Sequence, residues 1–490
     1  MAQPQNPAAI LVSKFAVLKG AARELWLTFA MKFLNYAAYA VTNFTLKLWL
    51  SHEFGFSDQL ALRIVFGWAV LMTMVTLLVG PLTDAIGLRR AFFLGIWVCL
   101  LARVVMIFSS APWIAVIFGM FPLAVGEALG TPVLVAAVRK YSTTQQRSIS
   151  FSLSYMILNV GSFVAVYLFD LVRLHLGEHG HLTMPWGGSI TTYRALFLVS
   201  FGINLLMLPV AAGIRRGVEV TDAGLEIIPP AVKTAGANFL QLIFRSVGDS
   251  ARETVRIFGT LFQERPFYRL LAFLVLIAFL KLIFMQMYYV FPEFGIRELG
   301  EGAPVGKLWG INALLIIVLV PIVGALTQRF PAYGMVTLGG VISAASVYIM
   351  ALPARWFQPL AEGVFGQWLG HYYLGLTGAV HPYYMMIAVY VIVLSFGEAF
   401  YSPRVYEYAS AIAPKGQEAS YGALSYVPFL LAKLLIGTFS GTLLATYCPA
   451  VGERHSGTMW LFVALTATVA PVGLIALRRF IRVHEAGRES

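Results

Sequence analysis

The chain has 490 residues, 59% of them hydrophobic and 12% charged, and its mean hydropathy is +0.77. Soluble globular domains carry about 25% charged residues, so this composition excludes one and indicates an integral membrane protein. The formal charge of +12 comes from arginines and lysines between apolar segments, in alternate loops. That is the positive-inside bias of a membrane chain, not the basic face of a nucleic-acid-binding one.

Twelve segments are long enough to cross the hydrocarbon core as helices. The first, near 25–51, follows a basic start (Lys14, Lys19, Arg23) with no small-residue cleavage site, so it is expected to be retained. Along it Lys32, Tyr36, Tyr39 and Asn43 stand at i, i+4, i+7 and i+11, one polar stripe. Spans near 59–83 and 89–110 follow, the latter with Cys99 and Arg103. The next, 112–137, contains Glu127; the fifth, 149–171, carries Tyr155, Asn159 and Ser162 on one face. The sixth is 192–214.

The middle loop, 215–265, divides the chain into an N-terminal half (1–214) and a C-terminal half (266–490). Within it NFLQLIFRSVGDSARETVRIFGTLF spaces apolar residues as a helix does, with Arg245, Arg252 and Arg256 between them. Either an amphipathic helix on the cytoplasmic leaflet or a connector helix packed on the bundle fits.

Spans of the second half are expected near 266–290 (Lys281, Gln286, Tyr289), 305–328 (Asn312), 333–353, 383–411 (Glu398), 418–446 (Lys433) and 457–480. A long outer loop, 354–382, holds His371 and His381, too sparse for a metal site. Cys99 and Cys448 offer neither a disulfide framework nor metal spacing, and no P-loop is present. No metal, cofactor or nucleic acid is expected. Basic loops at Arg89–Arg90, Arg139–Lys140 and Arg215–Arg216, with Glu53, Asp58, Glu293, Glu298 and Glu301 on the opposite side, place both termini in the cytoplasm.

The two halves repeat. Gly126–Glu127–Ala128 recurs as Gly397–Glu398–Ala399, and Leu153–Ser154–Tyr155 as Leu424–Ser425–Tyr426, both at an offset of 271 residues. Duplicated membrane halves, each with a carboxylate on an equivalent helix, are the pattern of a secondary transporter.

The loop after the second span reads GPLTDAIGLRR, Gly80 to Arg90, and resembles the signature of the major facilitator superfamily, G-x-L-x-D-x-x-G-R-R. Gly80, Asp84, Gly87, Arg89 and Arg90 stand in its places, Leu88 shifting the basic pair by one. A degenerate copy, GALTQRFP, runs from Gly324 to Pro331. The implied fold is all-α: twelve helices in two pseudo-symmetric six-helix halves, with these residues gating and structural.

Two further stretches resemble the proton-dependent oligopeptide transporter family. Its fifth-helix motif, F-Y-x-x-I-N-x-G-S, is matched at Tyr155, Asn159, Gly161 and Ser162; its tenth-helix motif, G-E-x-x-x-S-P then A-P, at Gly397, Glu398, Ser402, Pro403, Ala413 and Pro414. On the first helix Lys32 stands where the family has arginine, with Phe33 and Tyr36 in register, while Thr28 and Met31 replace its two glutamates. Thr131, before Pro132, replaces its fourth-helix lysine. The resemblance implies that Glu398 meets a peptide's amino terminus and that Asn159 hydrogen-bonds the peptide.

Charges buried in a bilayer face a cavity and find partners. The expected substrate-binding residues are Glu398, Lys32, Tyr36, Asn159, Tyr155, Asn312, Gln286 and Lys433, with Glu398 paired to Lys433 or Lys281 when the site is empty. Glu398 and Glu127 are the candidates for proton coupling. The chain is therefore expected to be a transporter, not an enzyme: a monomer in an inner or plasma membrane, moving a small solute by alternating access about one central site. Short peptides or amino-acid-like zwitterions come first. A lipophilic drug, lysolipid or sugar as substrate, or a non-transporting sensor, are the alternatives.

Overall fold

The computed structural model describes residues 18–185, 187–221, 224–227, 265–327, 330–412 and 439–482, together with 248, 428 and 431–433. Its frame is helical. The N-terminal half gives α1 (Arg23–Phe54), α2 (Asp58–Ile86), α3 (Leu88–Phe108), α4 (Pro112–Lys140), α5 (Thr144–Leu176) and α6 (Thr192–Gly213). The C-terminal half gives α7 (Arg265–Tyr289), α8 (Val305–Leu326), α9 (Ala332–Ile349), α10 (Pro382–Ile412), α11 (Gly441–Tyr447) and α12 (Ser456–Ala476). Ten of the described helices are long and apolar enough to cross a membrane. At 32 residues α1 also has the length, but its polar stripe interrupts the apolar run.

Apart from the eleventh, expected and observed spans agree to within about five residues at their ends, the fifth, Thr144–Leu176, differing most from its expected 149–171. Most of the stretch 418–446 and the amphipathic sequence in the middle loop lie outside the described residues, as do Leu424–Ser425–Tyr426 and Gln328. Two antiparallel hairpins were not expected: β1–β2 (His181–Thr183, Ser189–Thr191) before α6, and β3–β4 (Val218–Thr221, Gly224–Ile227) after it. The loop expected at 354–382 contains short helices, Ala354–Phe357, Gln358–Glu362 and Val364–Gln367, and a π turn at Trp368–Leu374. There His371 Nδ1 and Nε2 lie 2.9 Å and 2.8 Å from Leu376 O and Gln367 Oε1.

The chain forms two compact units, Met1–Ala40, Leu71–Ala165 and Phe197–Val255 in one, Val41–Val70, Val166–Leu196 and Arg256–Ser490 in the other. Their boundaries fall inside α1, α2, α5 and α6. The second unit therefore contains the far ends of four helices that the sequence assigns to the first half. In the first unit Leu25 and Phe29 of α1 pack with Phe92, Ile96, Leu134, Val138, Met207 and Ala211. In the second, Phe273 of α7 stacks on Tyr408 of α10 at 4.0 Å between ring centroids, and Trp460 of α12 packs edge-on against Phe294.

Small residues bring the helices close, as packing in lipid favours. A Cβ added at Gly126 would stand 2.6 Å from Cys99 Sγ and 3.1 Å from Gly95 O, so α4 lies directly on α3. At Gly397 it would stand 2.3 Å from Ser343 Oγ and 2.8 Å from Gly339 O, so α10 lies on α9 in the same way. The repeated glycine does the same packing in both halves.

Candidate functional site

The C-terminal set of charges is built on one face of α10. Ser395, Glu398 and Ser402 fall at i, i+3 and i+7, and all three are buried. Because Gly397 is turned onto α9, the next residue points about 100° away, and Glu398 reaches α8. There Asn312 Nδ2 donates to Glu398 Oε2 at 2.9 Å and to Ser395 Oγ at 3.0 Å. One turn further along α10, Lys281 Nζ of α7 donates to Ser402 Oγ at 3.3 Å. It also lies over the rings of Tyr401 (4.9 Å) and Phe284 (5.3 Å), an arrangement that stabilises a cation. Lys281 and Glu398 feel each other's charge.

Gln286 is expected beside these residues, but its amide donates to Ser440 Oγ, just ahead of α11. Tyr289 Oη donates to Asn43 Oδ1 at 2.6 Å. Lys433 is buried.

In the N-terminal unit Lys32 Nζ lies 5.2 Å above the ring of Tyr36 on the next turn of α1. The hydroxyls of Tyr36 and Thr131 are 3.4 Å apart. On α5 the Asn159 amide donates back to Tyr155 O at 3.0 Å. A Cβ at Gly161 would stand 2.8 Å from Phe33 O, so the glycine of that motif presses α5 onto α1. Glu127 is met by an arginine: Arg103 Nη2 of α3 donates to its Oε1 at 2.6 Å. Of the turn between α2 and α3, Gly87 adopts φ +83°, a conformation glycine takes without strain, and Arg89 Nη2 donates to Ala212 O at 3.1 Å. Arg90 is exposed. Gly80 and Asp84 are helical, and their side-chain positions lie outside the described residues.

A third group of charges occupies the end of the second unit where α1 finishes. Lys47 Nζ binds Asp58 Oδ1 at 2.7 Å and Glu293 Oε2 at 2.8 Å. Arg297 binds the same two carboxylates at 2.8 Å each and donates to Cys448 O at 2.6 Å. His52 Nε2 is 3.2 Å from Glu293. Nearby, Asp170 of α5 accepts the backbone N–H groups of Gly306 (3.0 Å) and Lys307 (2.6 Å) at the N-terminus of α8, where unpaired donors favour an anion. Arg173 binds Asp170, Glu178 and the carbonyl of Ala303. Burial alone would raise the carboxyl of Glu293, but Lys47, His52 and Arg297 around it hold it well below the usual carboxylate range.

A sequence profile of the Major Facilitator Superfamily matches residues 28–370. The chain belongs to the major facilitator superfamily. It is thus a secondary transporter with the fold of that superfamily. Among similar solved structures is a point mutant of the peptide transporter POT, at 18% identity and a TM-score of 0.67, covering 93% of this chain and 94% of that one. Tetrameric PepTSo2 is similar at 17% identity and a TM-score of 0.67, covering 94% and 98%. A bacterial homologue of the human drug peptide transporters PepT1 and PepT2 is similar at 17% identity and a TM-score of 0.65, again covering 94% and 98%. A comparison with curated protein sequences gave no significant match.

In this major facilitator chain the structure brings together Glu398 and Asn312, with Lys281 one turn away, and separately Lys32, Tyr36 and Thr131. Ser395 and Ser402 are the contacts that sequence reasoning did not single out as ligands, although their spacing from Glu398 was there to read. Of the charges at the end of α1, Asp58 and Glu293 were expected only as loop residues, and Lys47, His52 and Arg297 were not singled out. Their pairing depends on elements more than 200 residues apart.

Proposed function

We propose that this transporter moves a small amphipathic zwitterion, a short peptide or amino-acid derivative first, by alternating access. The observation that carries the reading is Glu398: a buried carboxylate in mid-span, aimed by Asn312 at 2.9 Å, with a lysine beside it on the next turn. Such an acid is suited to a solute ammonium because the contact is stronger in a low-dielectric cavity than in water, provided it replaces the hydration the ammonium loses. Lys32 is proposed for the solute's carboxylate, with Tyr36, Asn159 and Tyr155 as further ligands. Protons are proposed to enter through Glu398, because Glu127 is held by Arg103. The ion pairs of Lys47, Asp58, Glu293 and Arg297 act as a latch that parts when that end of the transporter opens. The protein is read as a monomer in an inner or plasma membrane with both termini in the cytoplasm.

The test is thermal stability of the purified chain against di- and tripeptides, amino acids, sugars and lipophilic cations, repeated on Glu398→Gln. Ligands that bind only the folded state raise the melting temperature. Stabilisation by peptides that disappears in the variant supports the reading. Stabilisation by sugars or lipophilic cations alone removes the zwitterion.

A further inference from the structure

The segment between α9 and α10 is not built like a loop that stands in water. Over 354–381 it carries two full charges, Arg355 and Glu362, against six tryptophans, phenylalanines and tyrosines. The shorter stretch between α7 and α8 carries Glu293, Arg297, Glu298 and Glu301. Val364, Trp368 and Tyr372 stand at i, i+4 and i+8 and share one helix face with Phe365. That face is uncovered: Val364 is 89% exposed, Tyr372 84% and Trp368 54%. On the opposite face Gly366, Leu369, Gly370 and Leu374 are buried. Trp356, on the short helix after α9, is 62% exposed.

The polar groups turn inward. Gln367 Nε2 donates to Ala361 O at 2.9 Å, and His371 lies between Leu376 O and Gln367 Oε1. The N–H groups of Gly363, Gln367 and Leu376 donate to the carbonyls of Pro359, Gly363 and Gly370. A segment that satisfies its own polar groups can leave water at little cost. It is also fixed in place. Tyr373 Oη donates to Lys307 O at 2.9 Å, and Lys307 Nζ to Leu374 O at 3.1 Å, so α8 holds it. The short helices at 354–362 lie against α10. The aromatic face is therefore held outward. Leu352 and Trp356 carry the exposed apolar surface of α9, with Leu338 and Val341, past the end of that helix.

We propose that this segment lies in the membrane interface, its aromatic face sunk into the headgroup–acyl boundary of the leaflet where α9 ends and α10 begins. Tryptophan and tyrosine suit that depth, because the ring is apolar and its N–H or O–H reaches water. A second copy of the chain would also cover the face. Lipid is chosen because the face starts within a few residues of a span and continues that span's lipid-facing side. The segment thereby sets the depth of α8 and α10 in the leaflet.

Cys99 and Cys448 are buried, so an introduced surface cysteine alone takes a spin label. Val364→Cys and Tyr372→Cys are labelled in the full-length chain in phosphatidylcholine–phosphatidylglycerol nanodiscs, with Glu301→Cys as the exposed, charged reference. Collisions with oxygen are compared with collisions with a water-soluble nickel chelate. The ratio of oxygen to nickel collisions is expected to be about tenfold higher at positions 364 and 372 than at 301. Equal ratios overturn the inference. Dipolar broadening between labels at 364 means that a second copy covers the face, and overturns it too. If the variants do not fold, hydroxyl-radical footprinting of the unsubstituted chain in the same discs decides. Tyr372 is then expected to be oxidised about fivefold more slowly than free tyrosine, and oxidation at the free rate overturns the inference.

Discussion

The same three residues, Gly–Glu–Ala, occur in α4 and α10, and the structure gives their glycines one role and their glutamates two. Gly126 lets α4 rest on Gly95 and Cys99 of α3; Gly397 lets α10 rest on Gly339 and Ser343 of α9. One turn beyond Cys99 is Arg103, and it takes Glu127 at 2.6 Å. One turn beyond Ser343 is Val347, buried and apolar. Glu398 therefore has no arginine on its packing partner and is met by Asn312, with Lys281, bonded to Ser402, within reach of its charge. Packing was kept in both copies, while a single position on the neighbouring helix decides whether the acid is met by an arginine of that helix or by an amide from another. A buried pair rigidifies the half that holds it; an acid held by an amide and a distant lysine can exchange its partner for a ligand.

The largest effect that would break this comparison is on the structural copy. Arg103→Met leaves Glu127 buried without its cation and is expected to cost about 3–5 kcal/mol, read as a fall in the melting temperature of the purified chain. Adding Glu127→Leu should recover most of that loss, since an apolar pair can replace a buried ion pair with little penalty. A single variant as stable as wild type would mean that the pair does not hold α3 to α4. Next comes the copy proposed to meet the solute. Glu398→Gln is expected to reduce uptake of a zwitterionic solute by roughly a hundredfold, about 2–3 kcal/mol for a charged contact to a ligand. Stability should fall less than in Arg103→Met, because Asn312 can still donate to the amide oxygen and Lys281 keeps its bond to Ser402. Were melting to drop as far as in Arg103→Met, the two glutamates would have the same role after all.

A smaller effect tests what the copies share. Gly126→Ala and Gly397→Ala each force a Cβ into a neighbouring helix, and overpacking of this kind costs about 1–3 kcal/mol. Both are expected to lower the melting temperature, Gly397→Ala more, since its Cβ would also stand 2.7 Å from Ser343 N. A neutral outcome at either would show that the helices separate there without cost.

How much of this could be read in advance follows from where the partners lie. Span positions were legible because twenty apolar residues leave a local signal, and Gly126–Glu127 and Gly397–Glu398 were legible because the repeat is local too. Ser395 and Ser402 stand at helical spacing from Glu398 and needed only that α10 be helical throughout. Arg103 as the partner of Glu127 was not legible, because it requires knowing which face of α3 meets α4. Lys47, Asp58, Glu293 and Arg297 were harder still. They lie at helix ends and in a short helix, Phe291–Leu299, and nothing along the chain joins residue 47 to residue 293. The two hairpins were missed because strands of three and four residues carry too few alternations to stand out from a loop.

The smallest expected effect is no effect, and it separates the proposed latch from the proposed site. Glu293 lies outside the spans, where Lys47, His52 and Arg297 hold its carboxyl below the usual range against the pull of burial. In the unfolded chain a glutamate titrates near about 4.3. An acid lowered on folding contributes stability that is fully present above its unfolded value and is lost only as the pH falls through its folded value. The melting difference between wild type and Glu293→Gln should therefore be the same at pH 7.5 and pH 5.0. A difference that shrinks by pH 5.0 would mean that Lys47, Arg297 and the His52 contact do not keep the carboxyl ionised, and the proposed latch would then open with acid. If the difference holds, any change of uptake across that range belongs to another group. Uptake by Glu398→Gln that no longer changes with pH would assign it to the carboxylate on α10.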